Sequence, residues 1–336
     1  MFKNEVLTVA DFTEQRRQQF LTENYYKSSY DFYIEDIDFW KESDAFEDDE
    51  YNCGEKRRWN LITHDYSFLL YLVYTAGKSI GEVIPLFEKV IEGFEKQSEA
   101  LAIFHKSKKP SVIPTQNETL NILGLAFLLN RNDLVTRIHS LVNGEGENHT
   151  GEDEIINKFF KLNDFTHPTF NEGNLFALGY AKLCDVIDNV LVKNNKETAI
   201  KYLDEYLADW YQINKNALWF NSHLEPAEEL KYCGYWSFEA AALVYLLDLD
   251  DTPLHKHLFY PKDIVAWARK NNTQSEVNQD NSTVLKVKGG EKSPKTGYWM
   301  TPAQPNTRPY FTQGEILPTL SQADWGEVYW YFDGEE

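Results

Sequence analysis

Near residue 282 the spacing of apolar residues changes from about 3.6 to 2, and this change constrains the fold more than any other feature of the chain. From about residue 10 to 270 the pattern is helical almost throughout. Tyr26, Tyr30, Tyr33, Ile37 and Trp40 are spaced 4, 3, 4 and 3, an apolar seam on a first helix expected from about Asp11 to Phe46. Asp31, Glu35, Asp38 and Glu42 are spaced 4, 3 and 4, and at 100° per residue their stripe lies roughly 150° from the seam. An acidic ridge on the outer face of that helix follows.

The next helix, "RRWNLITHDYSFLLYLVYTAG", is almost wholly apolar and ends at Gly77, where glycine suits a left-handed residue. Ser79 and Glu82 then read as a capping box. Pro85 is expected either to kink the helix that follows or to mark its true start. "TLNILGLAFLLNRNDLVTRIHSLV" reads as a helical pair. An apolar helix, a turn and an amphipathic helix then recur in "NLFALGYAKLCDVIDNVLV" and "KETAIKYLDEYLADW". "NGEGENHTGEDE" is the expected boundary between two helical halves.

Beyond the polar stretch "NNTQSEVNQDNS", short aromatic or β-branched runs alternate with Gly and Pro turns. In "EVYWYFD", Val328, Trp330 and Phe332 fall on one sheet face, Tyr329 and Tyr331 on the other. The fold class expected is mainly α, a two-part helical bundle with a small C-terminal β module. The expected parts are 1–143, 144–270, a linker at 271–282 and the module at 283–336. So small a module holds a poor core alone, so it is expected to dock on the helices.

The charge restricts function more than it restricts fold. The 336 residues carry 33 Lys and Arg against 53 Asp and Glu, a net charge of −20. That argues against nucleic acid and against anionic membranes, which need a basic footprint, and favours a basic partner. Cys53, Cys184 and Cys233 form no Cys-x-x-Cys pair, so neither a disulfide framework nor a structural zinc site is expected. The first residues hold no apolar stretch of signal-peptide length, and the expected location is cytoplasmic.

Catalytic signatures are lacking. His255 and His257 sit two apart on a turn with no further ligand pair, and Asp248, Asp250 and Asp251 lack the glycine and terminal glutamate of a calcium loop. No metal, cofactor or nucleophile motif is expected, and "GKSIGE" follows a helix where a phosphate loop needs a strand. Cys233 reads as a small buried residue. Glu239, in "YCGYWSFEAAALVYLLDLDD", is the one carboxylate with an aromatic setting. The alternative function is an acidic all-helical carbohydrate-active enzyme using Glu239. Such an enzyme needs a second carboxylate flanking its substrate, and none is marked. Its toroid would need about a dozen helices, whereas roughly ten are legible here. The favoured reading places Glu239 in the first turn of a helix, where the free N–H groups favour an anion.

Two acidic clusters remain. The first joins the stripe Asp31, Glu35, Asp38 and Glu42 to Glu47, Asp48, Asp49 and Glu50. The second comprises Glu145, Glu147, Glu152, Asp153 and Glu154. Each alone reads as a solvated face. Together, on a chain of net charge −20, they suggest a surface that meets a basic protein.

"YCGYWSFEAAALVYLLDLDD", followed at once by "HLFYPKDIVAWAR", resembles the C-terminal half of the PoNe immunity proteins (PoNi), and "FLLYLVYTAGKSIGEVIPLFEKVIEGFEK" resembles their N-terminal half. The likeness spans most of residues 10–270. The resemblance implies a cytoplasmic, non-enzymatic antidote that binds and neutralises a cognate toxin, a DNase delivered between bacteria by type VI secretion or a related system. The toxin-binding candidates are the first cluster together with Glu152, Asp153 and Glu154. The tail from Ser293 to Asp333 is similar to that of other immunity proteins encoded beside polymorphic toxins.

Overall fold

Thr22 divides the first expected helix in two. A computed structural model describes residues 9–113, 115–145, 154–162, 178–279, 286–301, 307–319 and 328–334. In place of one helix from Asp11 to Phe46 it has α1 (Val9–Gln15) and α2 (Glu23–Glu42). The break is built from polar groups that have better partners elsewhere. The Arg16 guanidinium donates to the Leu21 carbonyl at 2.6 Å, and the Arg17 N–H donates to the Thr75 carbonyl at 2.8 Å. Gln18, 1% exposed, points into the core. Thr22 then caps α2 by accepting from the Tyr25 N–H.

The seam behaves as its spacing predicts. Tyr33 and Ile37 are buried, and Tyr26, Tyr30 and Trp40 pack half-buried against the same core. Next come α3 (Gly54–Thr75) and α4 (Ile80–His105), packed on one another. Gly77 ends the α3 turn at φ +84°, and a Cβ there would stand 1.9 Å from the Gln15 carbonyl oxygen, so only glycine fits. Pro85 neither starts α4 nor ends it: the helix begins at Ile80 and runs through it. The Ser79–Glu82 capping box holds that first turn, with the Ser79 N–H donating to Glu82 at 2.9 Å.

The expected helical pair is α5 (Gln116–Leu128) and α6 (Val135–Asn143), followed by α7 (Glu154–Leu162). A second packed pair is α8 (Ala181–Leu191) and α9 (Lys196–Ile213). After irregular chain come α10 (Phe238–Leu246) and α11 (Lys262–Gln279). One apolar core spans these helices, with Phe87 and Phe127 from the first half and Tyr206, Trp210 and Phe238 from the second. α5 packs directly on α10. Both halves lie within one compact unit, Met1–Asn271. Helix α11 continues to Gln279, across most of the stretch whose polar composition reads as a linker.

The second unit is Asn272–Glu336. Its strands β1 (Lys286–Lys288), β2 (Gly297–Met300), β3 (Tyr310–Phe311) and β4 (Tyr329–Gly334) form an antiparallel sheet in the order β1-β4-β2-β3. Val328 and Trp330 are buried, with Phe332 packed beside them, the face that the period of 2 marks. Trp299, Phe311 and Leu317 complete a core internal to this unit.

The chain between α9 and α10 crosses the helical core. Gly234 lies there at φ +117°, and a Cβ on it would stand 2.0 Å from the Thr75 hydroxyl oxygen. That hydroxyl already donates to the Cys233 carbonyl at 2.6 Å, so it cannot swing aside freely. Gly234→Ala is therefore expected to cost about 2–5 kcal/mol through backbone strain and overpacking. Gly81→Ala is the control, since its Cβ would meet only the Ser79 hydroxyl at 3.8 Å. Urea unfolding of both variants checks this, and equal stability would show that the crossing is not packed as described.

Candidate functional site

Helix α2 carries the first acidic cluster because its opposite side is occupied by the seam. Asp31, Glu35, Asp38 and Glu42 are all exposed. The ion pairs of this region, among the described residues, are Lys27–Glu23 and Arg58–Glu55, neither of them on the stripe. The four carboxylates thus point outward without a cation from the described chain.

Past the helix end the cluster divides by role. Asp48 accepts from the Gly54 N–H at 2.7 Å and so satisfies the first free N–H of α3. Asp49 accepts from the side chain of Asn52 at 2.8 and 2.9 Å and from the Tyr51 N–H at 2.8 Å. The Asn52 bond and then the Tyr51 bond hold its carboxyl below the usual carboxylate range. Glu47 and Glu50 are exposed. Of the eight residues, Asp48 and Asp49 shape the turn and the other six present charge.

The second cluster is largely beyond description, because Glu147, Glu152 and Asp153 lie outside the described residues. Glu145 is exposed. Glu154 opens α7 and pairs with Lys158 at 3.2 Å, a cation it shares with Asp188 of α8.

Three features escaped the sequence reading. Phe32 and Phe39, outside the seam, stand 46% and 58% exposed beside the acidic stripe. Asp36 accepts from the Trp40 indole at 3.1 Å and faces Asp65 of α3. Burial, and then the Asp36 carboxyl, push the Asp65 carboxyl above its usual range against a hydrogen bond from His64. Only the spacing of Phe32 and Phe39 off the seam could have signalled them. The Asp36–Asp65 meeting has no sequence signal, since it joins two helices.

Glu239 lies in the first turn of α10, as expected, but inside the protein: it is 1% exposed. One carboxyl oxygen, Oε1, accepts from Ser237 at 2.6 Å, Trp210 at 2.7 Å and Tyr206 at 2.8 Å. Oε2 has no partner among the described residues. Burial pushes the carboxyl above its ordinary 4.5, with the bonds from Ser237 and Tyr206 opposing the rise. A carboxyl so enclosed cannot flank a sugar, and its three donors read as structural cross-links from α9 and the α10 cap.

The remaining candidates also resolve into structure. His257 meets Asp204 at 2.7 Å and His255 meets Asp251 at 3.2 Å, so the two rings serve different carboxylates. Asp250 accepts from the Thr252 N–H and hydroxyl, forming the expected turn. Asp251 holds Arg269 at 2.8 Å and Tyr260 at 2.8 Å. Burial pushes the Cys233 thiol up to about 12, which makes it inert at neutral pH.

The sign of the Glu239 shift sets a test. With the folded pKa above the ordinary 4.5, the carboxyl contributes its full stability below that value and loses it as pH rises through the folded pKa. Gln accepts the same three donors and does not titrate. Glu239→Gln is expected to gain stability relative to wild type between pH about 5 and about 7.5, and to stay within about 1 kcal/mol of it at the lower pH. Glu239→Ala strands three buried donors and is expected to lose about 2–5 kcal/mol. Denaturation at the two pH values decides, and a pH-independent difference would show that Glu239 is not held as described.

Residues 151–264, the stretch that holds Glu239, match the model of the PoNe immunity proteins (PoNi), C-terminal. No curated protein matches the sequence. The helical architecture is similar to the crystal structure of protein PA2201 from Pseudomonas aeruginosa, with a TM-score of 0.56 at 15% identity over 76% of this chain and 92% of that one. At that identity the likeness concerns the fold alone. The PoNi match over 151–264 supports an immunity protein directed at a polymorphic toxin.

Proposed function

We propose that this chain is a non-enzymatic immunity protein that binds and neutralises a cognate antibacterial toxin in the cytoplasm. The toxin proposed is a DNase delivered by type VI secretion or a related system. The PoNi match over residues 151–264 carries this reading. The charge supports it, because a nuclease must present basic residues to hold phosphates and a chain of net charge −20 complements them. The burial of Glu239 supports the absence of glycosidase chemistry at that residue.

The binding surface proposed is the outer face of α2, with Asp31, Glu35, Asp38 and Glu42 at its centre, extended by Glu47, Asp48, Asp49 and Glu50. Close interfacial charge pairs couple by roughly 1.5–7 kcal/mol, and steering raises association toward about 10⁸ M⁻¹s⁻¹ at low salt. Glu152, Asp153 and Glu154 are a secondary candidate patch, weakened by the Glu154–Lys158 pair.

Co-expression with any toxin encoded beside its gene, followed by co-purification, tests the function. Changing Asp31, Glu35, Asp38 and Glu42 together to lysine tests the surface. The fold is expected to survive, because all four are exposed. Association with the toxin is expected to slow by about tenfold or more and to lose its salt dependence. Stopped-flow association at two ionic strengths, with circular dichroism as the folding control, measures this. Unchanged rates and unchanged salt dependence would reduce the ridge to a solvated face.

A further inference from the structure

We infer that the cavity at the N-terminal end of α2 is a socket for an arginine side chain of the partner. The inference rests on the immunity reading and adds to it a specific anchor. The cavity, a half-open depression of about 330 Å³, is lined by residues 20–28 on one side and 222–232 on the other, all within Met1–Asn271. Its size stands near the lower limit of small-ligand pockets, about 300 Å³. It suits one long side chain with its water better than a large ligand.

The chemistry of the walls selects a cation. Four rings line the cavity, those of Phe20, Tyr25, His223 and Tyr232. Glu225 is the one acidic residue of the lining, and no Lys or Arg takes part. Aromatic walls and a carboxylate together attract a guanidinium, whose N–H groups reach the carboxylate. An anion would meet the Glu225 charge with no basic side chain in the lining, and the Arg16 guanidinium, whose charge reaches Tyr232 from behind, is engaged by the Leu21 carbonyl. His223 does not reverse this balance, since burial lowers its pKa and keeps the ring neutral near pH 7.

The walls are held in place before any partner arrives. The Phe20 and His223 rings lie 4.4 Å apart, and Phe20 meets Tyr232 edge-on at 6.0 Å. The Tyr25 hydroxyl accepts from the Tyr232 N–H at 2.6 Å, and the Tyr232 hydroxyl donates to Gln18 at 2.7 Å. His223 Nδ1 meets the Tyr235 hydroxyl at 2.8 Å. Little rotamer freedom remains to be lost on binding, which favours affinity.

The socket is continuous with the α2 face. Tyr25 and Ser28 line it, and Phe32 and Phe39 follow at spacings of 4 and 11 from Ser28 on the same side of the helix. At 100° per residue this line runs roughly 80° from the acidic stripe. A partner lying along α2 would meet carboxylates on one flank, exposed aromatic rings on the other, and the socket at the end. Interfaces concentrate their binding energy in such aromatic and arginine anchors, ringed by weaker contacts.

The probe is the tripeptide Ac-Gly-Arg-Gly-NH2, titrated into the full chain and followed by amide chemical shifts. Saturable shifts are expected at residues 20–28 and 222–232. Affinity is expected to fall about fivefold or more in Glu225→Gln, and by a similar factor for the citrulline peptide, which keeps the shape and lacks the charge. Ala227→Trp, which fills the mouth from an exposed position, should abolish the shifts. No saturable shifts, equal binding of arginine and citrulline peptides, or shifts indifferent to both variants would each overturn the socket. Co-purification separates the two proposals. If Ala227→Trp retains the toxin as wild type does, the socket is wrong and the immunity reading stands. If the arginine peptide saturates the cavity but no toxin co-purifies with wild type, the socket stands and the immunity reading fails.

Discussion

Between Leu230 and Ser237 the backbone runs through the core with no regular ladder of its own, and side chains from distant helices satisfy it. The Tyr33 hydroxyl donates to the Leu230 carbonyl at 2.7 Å, and the Tyr232 N–H donates to the Tyr25 hydroxyl. Gln18 accepts from the Tyr235 N–H at 3.0 Å through its oxygen and donates to the Tyr235 carbonyl at 2.6 Å through its nitrogen. Thr75 serves the Cys233 carbonyl and accepts from the Trp236 indole at 2.8 Å. Buried backbone groups left unpaired would each cost about 1–3 kcal/mol, so these bonds tie the crossing to α2, α3 and the α1–α2 break. The crossing thus joins the two halves of the bundle alongside the direct packing of α5 on α10.

That dependence explains where the charge goes. With Tyr25 and Tyr33 turned inward to hold the crossing, the far side of α2 faces solvent and can carry Asp31, Glu35, Asp38 and Glu42 at little cost. The same inward turn places Tyr25 and Tyr232 as walls of the cavity beside the ridge. Core contacts and exposed charge thus share one helix, divided by face.

Glu239 shows the opposite arrangement, an acid kept inside by converging donors. Its three bonds come from Ser237, Tyr206 and Trp210, so the carboxyl links α9 to the start of α10. Desolvation opposes the charge, and the donors compensate only in part, as the raised pKa records. The site is a cross-link of the core, and its aromatic surroundings are the donors and packing that such a cross-link needs.

Local sequence, through periodicity and residue type, determined much of this protein. The seam at Tyr26, Tyr33 and Ile37, the outward stripe, the cap at Ser79, the left-handed Gly77 and the face of Val328 and Trp330 were all legible, because each depends on neighbours a few residues away along the chain. The tertiary structure alone decided the break at Thr22, the burial of Gln18 and Glu239, and the cavity between residues 20–28 and 222–232. Each of these depends on partners up to about two hundred residues distant, and local spacing holds no record of which donors meet which acceptors across a core.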